Sequence, residues 1–501
     1  MSTKLNGSSE GSMPLRRSEQ TWGPLAVFGN TASAAIATWC FITGGWVAYY
    51  VGAGRGGIAI TAGTLIGVFI ALLAALPAAT RYGVEAVRST RPQLGVRGAW
   101  LTLALVLVIL VGWNSVLTIF LSQAGHEALG AMGAPGEVSQ GLGTTTIGVI
   151  ICVAVFALLW RGPDVLRLAG PTIAIAVLIL SMIITVVLLV EFGWGHIFDA
   201  VALGPLPDDR TNYMIVIELG IAGAVAWWPY VGSLTRHSRS TRGAFGPAVL
   251  GLGVMMSLVL VIGLFAALVV PESGGNPTMF MIEVGGPALG LVALAFMVLA
   301  NVGTTMVGVY ACALALKQVP AIDRRMSWRA ATALSLLPVI GVVTFFADPF
   351  MAHYGTFLAF AGVTLGPVCG MQIVDYYILR RQELDVRGLY DESSTVYRYW
   401  RGFNPAGFLA IGVGVAAYVV VLDPVHFVPG PGFTYLSATV PATLASGLTY
   451  YAAMKLVPGL LRSSLTGGRP EAELGGRRAA SGVPTPAVPV PPGMSSEVTS
   501  Q

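Results

Sequence analysis

Residues 29–38 read Gly29-Asn30-Thr31-Ala32-Ser33-Ala34-Ala35-Ile36-Ala37-Thr38, and residues 227–232 read Trp227-Trp228-Pro229-Tyr230-Val231-Gly232. Both runs lie within long charge-free stretches, where an unbroken apolar helix is the default. The first is made of small and polar residues. The second follows Gly220 and Gly223 and contains Pro229, which lacks an N–H and clashes with the preceding turn. Two weak points in matching positions, five helices apart, predict two inverted five-helix repeats around a midplane site built from discontinuous helices. The bland alternative is that small residues let helices pack closely. It suffices for either run alone and is weaker for the matched pair.

The surrounding chain agrees. Of 501 residues, 55% are hydrophobic and 10% charged, and the mean hydropathy is +0.74. Soluble domains carry about 25% charged residues, so a water-soluble enzyme of this length is excluded. A disordered chain, which needs low hydrophobicity and high charge, is excluded too. A membrane helix needs roughly 20 apolar residues, and a central charge is costly. Charge-free windows therefore measure the spans: 20–54, 56–80, 98–126, 138–160, 168–190, 219–235, 243–271, 284–316, 330–347, 349–374, 402–422 and 424–454. These predict an all-α integral membrane protein with twelve transmembrane helices, helices 1–5 and 6–10 forming the repeats and two more following. The polar residues 1–24 form an N-terminal segment, 25–458 the twelve-helix domain, and 459–501, rich in Gly, Pro, Ser and Ala, a disordered tail. The first apolar run is too long for a signal peptide and lacks a cleavage site.

Alternating the segments between the windows places 26 of the 28 basic residues on one side, leaving only Arg55 and Arg210 on the other. The positive-inside rule then puts both termini in the cytoplasm, in a cytoplasmic membrane. The net charge of +4 is thus topology rather than a nucleic-acid surface. Cys40, Cys152, Cys312 and Cys369 lie in apolar runs without paired spacing, and the five histidines are scattered over loops. Neither set forms a metal site or a disulfide framework. The GxGxxG match at Gly52–Gly57 has no preceding strand and sits in an outside loop. No prosthetic cofactor, nucleic acid or obligate protein partner is expected.

Two further stretches join the interrupted helices. Span 3 holds Val111-Gly112-Trp113-Asn114-Ser115, and span 8 holds Ala300-Asn301-Val302-Gly303-Thr304-Thr305. A deep tryptophan is commonly core packing. Two of them, Trp113 and Trp227, on different pocket helices favour a slot for a flat heterocycle, with an indole N–H available to its polar edge.

At the end of span 10, Leu365-Gly366-Pro367 leads into Val374-Asp375-Tyr376-Tyr377-Ile378-Leu379-Arg380-Arg381, then Leu384-Asp385-Val386, Leu389-Tyr390 and Tyr399-Trp400-Arg401-Gly402-Phe403-Asn404-Pro405. With this run, and with supporting matches at 17–22, 94–98 and 235–239, the chain resembles the nucleobase:cation symporters, which include the cytosine and purine permeases and the hydantoin transporter. The resemblance covers roughly residues 16–458 and implies a leucine-transporter-like fold. It also implies import of a nucleobase or related heterocycle (cytosine, purine, hydantoin or allantoin type) by symport with Na+ or H+. By position, the family's stacking aromatics fall on Trp113 and Trp227 and a polar substrate-side position on Ala37; Asn114 and Thr305, polar at mid-depth in spans 3 and 8, complete the candidate substrate-binding set. The family's cation ligands fall on Ser33, Ile36, Ala300, Gly303 and Thr304. The expected partners are thus a small heterocycle, a monovalent cation and the lipid bilayer.

Some positions depart from the family pattern. Ser233 stands where helix 6 usually has an acid, and Ala37 and Leu117 replace polar residues. A helix 8 asparagine falls on Gly308 or Val309, and Gly303 replaces a hydroxyl. Losing hydrogen-bonding groups argues for a different or less polar ring. The alternative is an amino-acid or amine transporter on the same fold. Glu218, the one acid inside a predicted span, has two readings: an anchor to the interface or a neighbouring helix, or a carrier of the coupling proton.

Overall fold

The computed structural model describes residues 13–133, 142–160, 164–391 and 395–457, so the expected tail at 459–501 and the first twelve residues lie outside the described residues. Among the described residues the regular structure is helical. Span 1 is a pair of helices, Pro24–Ala35 and Thr38–Tyr50, bent by 58°. Eight helices are long and apolar enough to cross a membrane unaided: Ala53–Tyr82, Ala99–Ala131, Thr172–Glu191, Asp209–Thr235, Thr241–Val269, Pro277–Lys317, Trp328–Phe345 and Tyr354–Leu379. They occupy windows 2, 3 and 5–10. Shorter helices fill the remaining windows: Leu142–Leu159 as span 4, Pro405–Val421 as span 11 and Thr439–Leu456 as span 12. Within Pro277–Lys317, Gly286 adopts φ 77° and Pro287 follows, so a short preceding helix turns a corner before span 8 begins.

The packing carries the repeat. A pseudo-twofold that maps span n onto span n+5 turns the contact of span 1 with span 7 into that of span 6 with span 2. Both are among the most extensive helix pairings in the molecule. Span 1 against span 5 likewise corresponds to span 6 against span 10, while the pairs 3–8 and 4–9 map onto themselves; all of these pairs are packed. Spans 11 and 12 pack on each other and on span 10.

Both equivalent contacts use the same device. A Cβ on Gly44 of span 1 would overlap the backbone of Leu260 in span 7, and one on Gly63 of span 2 would overlap the backbone of Ile217 in span 6. Helices surrounded by lipid gain nothing from hiding apolar surface, so such backbone proximity is what holds them together. Large apolar side chains such as Leu444, Leu448 and Val420 are left facing outward.

The arginine-rich end is tied by the motif that closes span 10. Residues Val374–Leu379 form a π-helical turn, whose wider pitch lets Arg380 N–H bond Asp375 O at 2.8 Å. The buried Asp375 carboxylate also receives Arg380 Nε (2.7 Å), Gln93 Nε2 (2.6 Å) and Tyr450 Oη (3.0 Å). One acid thus binds span 10 to the loop before span 3 and to span 12. Removing one partner of a buried ion pair strands the other, whereas the intact pair adds specificity more than stability.

Replacing Gly44 or Gly63 by Val is expected to cost about 1–3 kcal/mol or more through overpacking. It should lower the melting temperature and the folded yield in detergent. Gly246→Ala, with open space around its Cα, is expected to match wild type in the same assay.

Candidate functional site

The span 1 break is formed by Ile36 (φ −85°, ψ 106°) and Ala37 (φ −146°, ψ 178°), both extended and fully buried. The last carbonyls of the first half-helix, Ser33 and Ile36 among them, have no partner within that helix. The first N–H groups of the second half are released as well. Span 8 meets this gap: Asn301 Oδ1 accepts from Thr38 Oγ1 at 2.5 Å and from Thr38 N at 3.4 Å, while Asn301 Nδ2 donates to Leu117 O of span 3 at 3.2 Å. A single amide therefore joins spans 1, 3 and 8 at the break.

Span 6 behaves differently from span 1. Its interruption falls at Ala226 and Trp227, which keep helical dihedrals (φ −58°, ψ −16° and φ −77°, ψ −8°). Pro229 stands in the first turn of the second half, Trp228–Thr235, where a missing N–H costs no hydrogen bond. The expected break at Pro229 is thus displaced to the two residues before Trp228, and the helix is interrupted without being unwound.

The aromatic side chains gather beside the span 1 break. Trp113 and Trp227 are both buried. They do not face each other across an open slot, because Trp39, two residues after Ala37, contacts both. Its ring centroid lies 4.9 Å from that of Trp113, edge-on at 61°, and 6.3 Å from that of Trp227. Phe357 (5.3 Å) and Tyr354 (6.5 Å) of span 10 close the other side of Trp113, and Tyr230 lies 4.7 Å from Trp227. Tyr354 Oη is fixed by Thr43 Oγ1 at 2.8 Å. Trp228, adjacent to Trp227, is a scaffold residue: its Nε1 donates to Gln372 at 2.6 Å.

On span 8, Asn301, Thr304, Thr305 and Gly308 follow at helical spacing and form one stripe. The hydroxyls of Thr304 and Thr305 and both amide atoms of Asn114 are buried with no hydrogen-bond partner. Asn114 Oδ1 fills the niche above Gly308. Buried polar atoms are nearly always satisfied, so four orphans on two facing helices mark a place where another group completes them. Of the expected cation ligands, Ser33 and Ile36 lie at the span 1 break and Ala300, Gly303 and Thr304 on span 8, where the Thr304 hydroxyl is one of the orphans. Gly303 departs from that chemistry, since Ile173 of span 5 packs where its Cβ would stand and puts hydrocarbon in place of an oxygen.

Glu218 is elsewhere. It is fully buried, and its two oxygens accept four bonds, from Tyr418 Oη (3.0 Å), Ala438 N (2.9 Å), Thr439 N (3.1 Å) and Thr439 Oγ1 (2.6 Å). It caps the N-terminus of span 12, where a carboxylate is favoured by the free N–H groups and the helix dipole, and its four hydrogen bonds go to spans 11 and 12 rather than to the tryptophans, although Trp227 lies further along the same span 6.

Sequence reasoning did not assign roles to Trp39, Thr38 or Asn301. Each was legible in part: Thr38 ends the small-residue run, Trp39 follows it, and Asn301 sits inside the polar stretch of span 8. Their mutual contacts depend on a bend angle that no periodicity encodes.

Two inverted repeats with an interrupted first helix and orphaned polar atoms at the crossing of spans 1, 3 and 8 define a membrane transporter. The chain matches, over residues 14–438, the profile of the permeases for cytosine/purines, uracil, thiamine and allantoin, and it belongs to that family. It is 23% identical over 362 residues to a purine-uracil permease of Arabidopsis thaliana, covering 68% of this chain and 59% of that protein's length. It is 23% identical over 425 residues to a hydantoin permease of Microbacterium maritypicum, covering 83% and 85%. Among solved structures it resembles Mhp1, a nucleobase-cation-symport-1 family transporter, in a closed conformation with bromovinylhydantoin bound. The TM-score is 0.73 and the identity 19%, covering 91% of this chain and 98% of that one; the likeness concerns the fold.

Asn301→Ala leaves the Thr38 hydroxyl buried without its acceptor, at a cost of about 1–3 kcal/mol. The variant is expected to melt lower and to lose transport, whereas Asn301→Gln should retain little of either because its longer amide cannot reach both partners. A variant with wild-type stability and uptake would remove the amide from the centre of the site.

Proposed function

We propose that this chain is a secondary active transporter, not an enzyme, importing a nucleobase-like heterocycle in symport with a monovalent cation by alternating access. Both termini are read as cytoplasmic on the distribution of arginines. The observation that carries the reading is the aromatic cluster beside the span 1 break, where Trp39, just after Ala37, meets Trp113 and Trp227, together with the unpartnered buried atoms of Asn114 and Thr305 on spans 3 and 8. Indole faces accept a flat ring, and an amide and a hydroxyl address its polar edge. The permeases named for purine-uracil and for hydantoin support a ring of this class. Trp39 must move aside for such a ring to lie between Trp113 and Trp227.

An uptake panel of purines, pyrimidines, hydantoins and allantoin, with amino acids and amines as the other arm, tests the class. Accumulation of amino acids alone would overturn it. Trp113→Ala and Trp227→Ala are each expected to weaken substrate binding by about 1 kcal/mol or more, with Phe retaining more than Ala.

On this reading the cation takes its ligands from Ser33, Ile36, Ala300, Gly303 and the hydroxyl of Thr304, the last of which is buried without a partner. Thr304→Ala is expected to raise the sodium requirement without changing the melting temperature, and substrate and sodium should improve each other's binding by the same factor. Substrate affinity that follows pH and ignores sodium would sink the sodium assignment in favour of protons.

Glu218 is read here as the anchor of span 12. Four donors facing its two oxygens leave no position for a Gln amide NH2 without an N–H meeting an N–H or a rotated hydroxyl. Glu218→Gln is therefore expected to lower stability by about 1–3 kcal/mol. A stable variant that exchanges substrate but has lost pH-driven accumulation would instead make Glu218 the proton carrier.

A further inference from the structure

The arginine-rich end of the molecule holds a cavity of about 540 Å³ outside the transport site, between the loop before span 3, the start of span 3, the end of span 8 and the loop before span 11. Five arginines line it: Arg88, Arg91, Arg97, Arg398 and Arg401. Among the described residues, no carboxylate does. Arg88 and Arg91 are buried and held in place, Arg88 Nε by Gln318 Oε1 at 3.0 Å and Arg91 Nη1 by Leu389 O at 2.8 Å. Arg97, Arg398 and Arg401 are exposed. The nearby buried acid Glu85 is turned to the N–H of Val87 at 2.8 Å.

A second hollow of about 410 Å³ adjoins this cavity and shares Arg97 and Trp100 with it. Its other walls are Gly98, Leu101, Phe403 and Phe408, and it is nearly devoid of polar surface. Trp100, at the first turn of span 3, is 53% exposed. A tryptophan beside arginines at a helix end marks the boundary between headgroups and hydrocarbon. A basic chamber thus adjoins, at that boundary, an apolar groove walled by the starts of spans 3 and 11.

The loop that supplies Arg398 and Arg401 is held in an uncommon shape. Tyr397, Tyr399 and Arg401 have φ of 64°, 43° and 51°. Its backbone is locked to the loop before span 3 by Arg97 N to Gly402 O and Asn404 N to Leu94 O, both 2.8 Å. Non-glycine residues persist in this region when their surroundings over-determine them, as at ligand clamps.

We propose that this end binds an anionic phospholipid, its phosphodiester headgroup in the arginine chamber and one acyl chain in the groove of Trp100, Leu101, Phe403 and Phe408. The chamber alone would also suit a soluble phosphate ester. The adjoining apolar groove, and its position at the membrane boundary, select the lipid.

The test uses the full chain purified in neutral detergent, with phosphatidylglycerol and phosphatidylcholine of equal chain length titrated by native mass spectrometry and thermal shift. Phosphatidylglycerol is expected to be retained in preference to phosphatidylcholine. An arginine near an anionic headgroup is worth about fivefold in binding. The combined variant Arg97→Gln, Arg398→Gln, Arg401→Gln is therefore expected to lower phosphatidylglycerol affinity at least tenfold and leave phosphatidylcholine unchanged. Trp100→Ala with Phe403→Ala should weaken long-chain phosphatidylglycerol while sparing the dihexanoyl form. Melting without added lipid separates loss of the site from loss of fold, and single Arg398→Gln replaces the combined variant if that one unfolds. Equal retention of the two lipids, or wild-type affinity in the arginine variants, overturns the proposal. Displacement of long-chain phosphatidylglycerol by equimolar glycerol phosphate would reassign the chamber to a soluble anion and overturn it as well.

Discussion

The amide of Asn301, bonded to Thr38 on one side and to Leu117 on the other, answers the hardest demand that a membrane makes of a polypeptide. Every backbone polar group removed from water must be paired, so irregular backbone at mid-depth survives only where protein surrounds it. The extended residues Ile36 and Ala37 meet that condition because spans 3, 6 and 8 enclose them, and because Asn301 takes up the hydroxyl and the first N–H beyond the gap. The aromatic cluster and the carbonyls of the first half-helix are then arranged around this one interruption.

The two halves of the molecule share their packing but not their use of it. The contact of span 1 with span 7 and that of span 6 with span 2, each closed by glycines, are the same contact seen through the pseudo-twofold. Span 1 is fully unwound at its centre, whereas span 6 keeps helical dihedrals through Ala226 and Trp227. The asymmetry follows from local chemistry. A proline in the first turn of a helix suits its position, so Pro229 does not force span 6 apart. Span 1 lacks a proline at its break and owes its opening to the neighbours that satisfy it.

Three acidic or amide anchors hold the scaffold away from the transport centre. Asp375 gathers Arg380, Gln93 and Tyr450 at the arginine-rich end, Gln372 links Trp228 to Ser89, and Glu218 caps span 12. The DYY…RR run of span 10 is therefore a structural tie. Its value for recognising the family lies in how few sequences can build a π-helical turn closed by its own arginine.

The helical membrane fold, the interruption of span 1 and the family's motif were all legible in the linear sequence. Each depends on the residues of one segment: a charge-free length, a charge count, a run of small side chains. What only the tertiary structure decided is who meets whom at the centre. Trp39 came between the two expected tryptophans, Ile173 took the place beside Gly303, and Glu218 turned out to cap span 12, a partner 220 residues away in sequence. These outcomes depend on a 58° bend and on the approach of helices separated by hundreds of residues. Hydrophobic periodicity records which face of a helix is buried, but not which side chain of another helix occupies the space opposite.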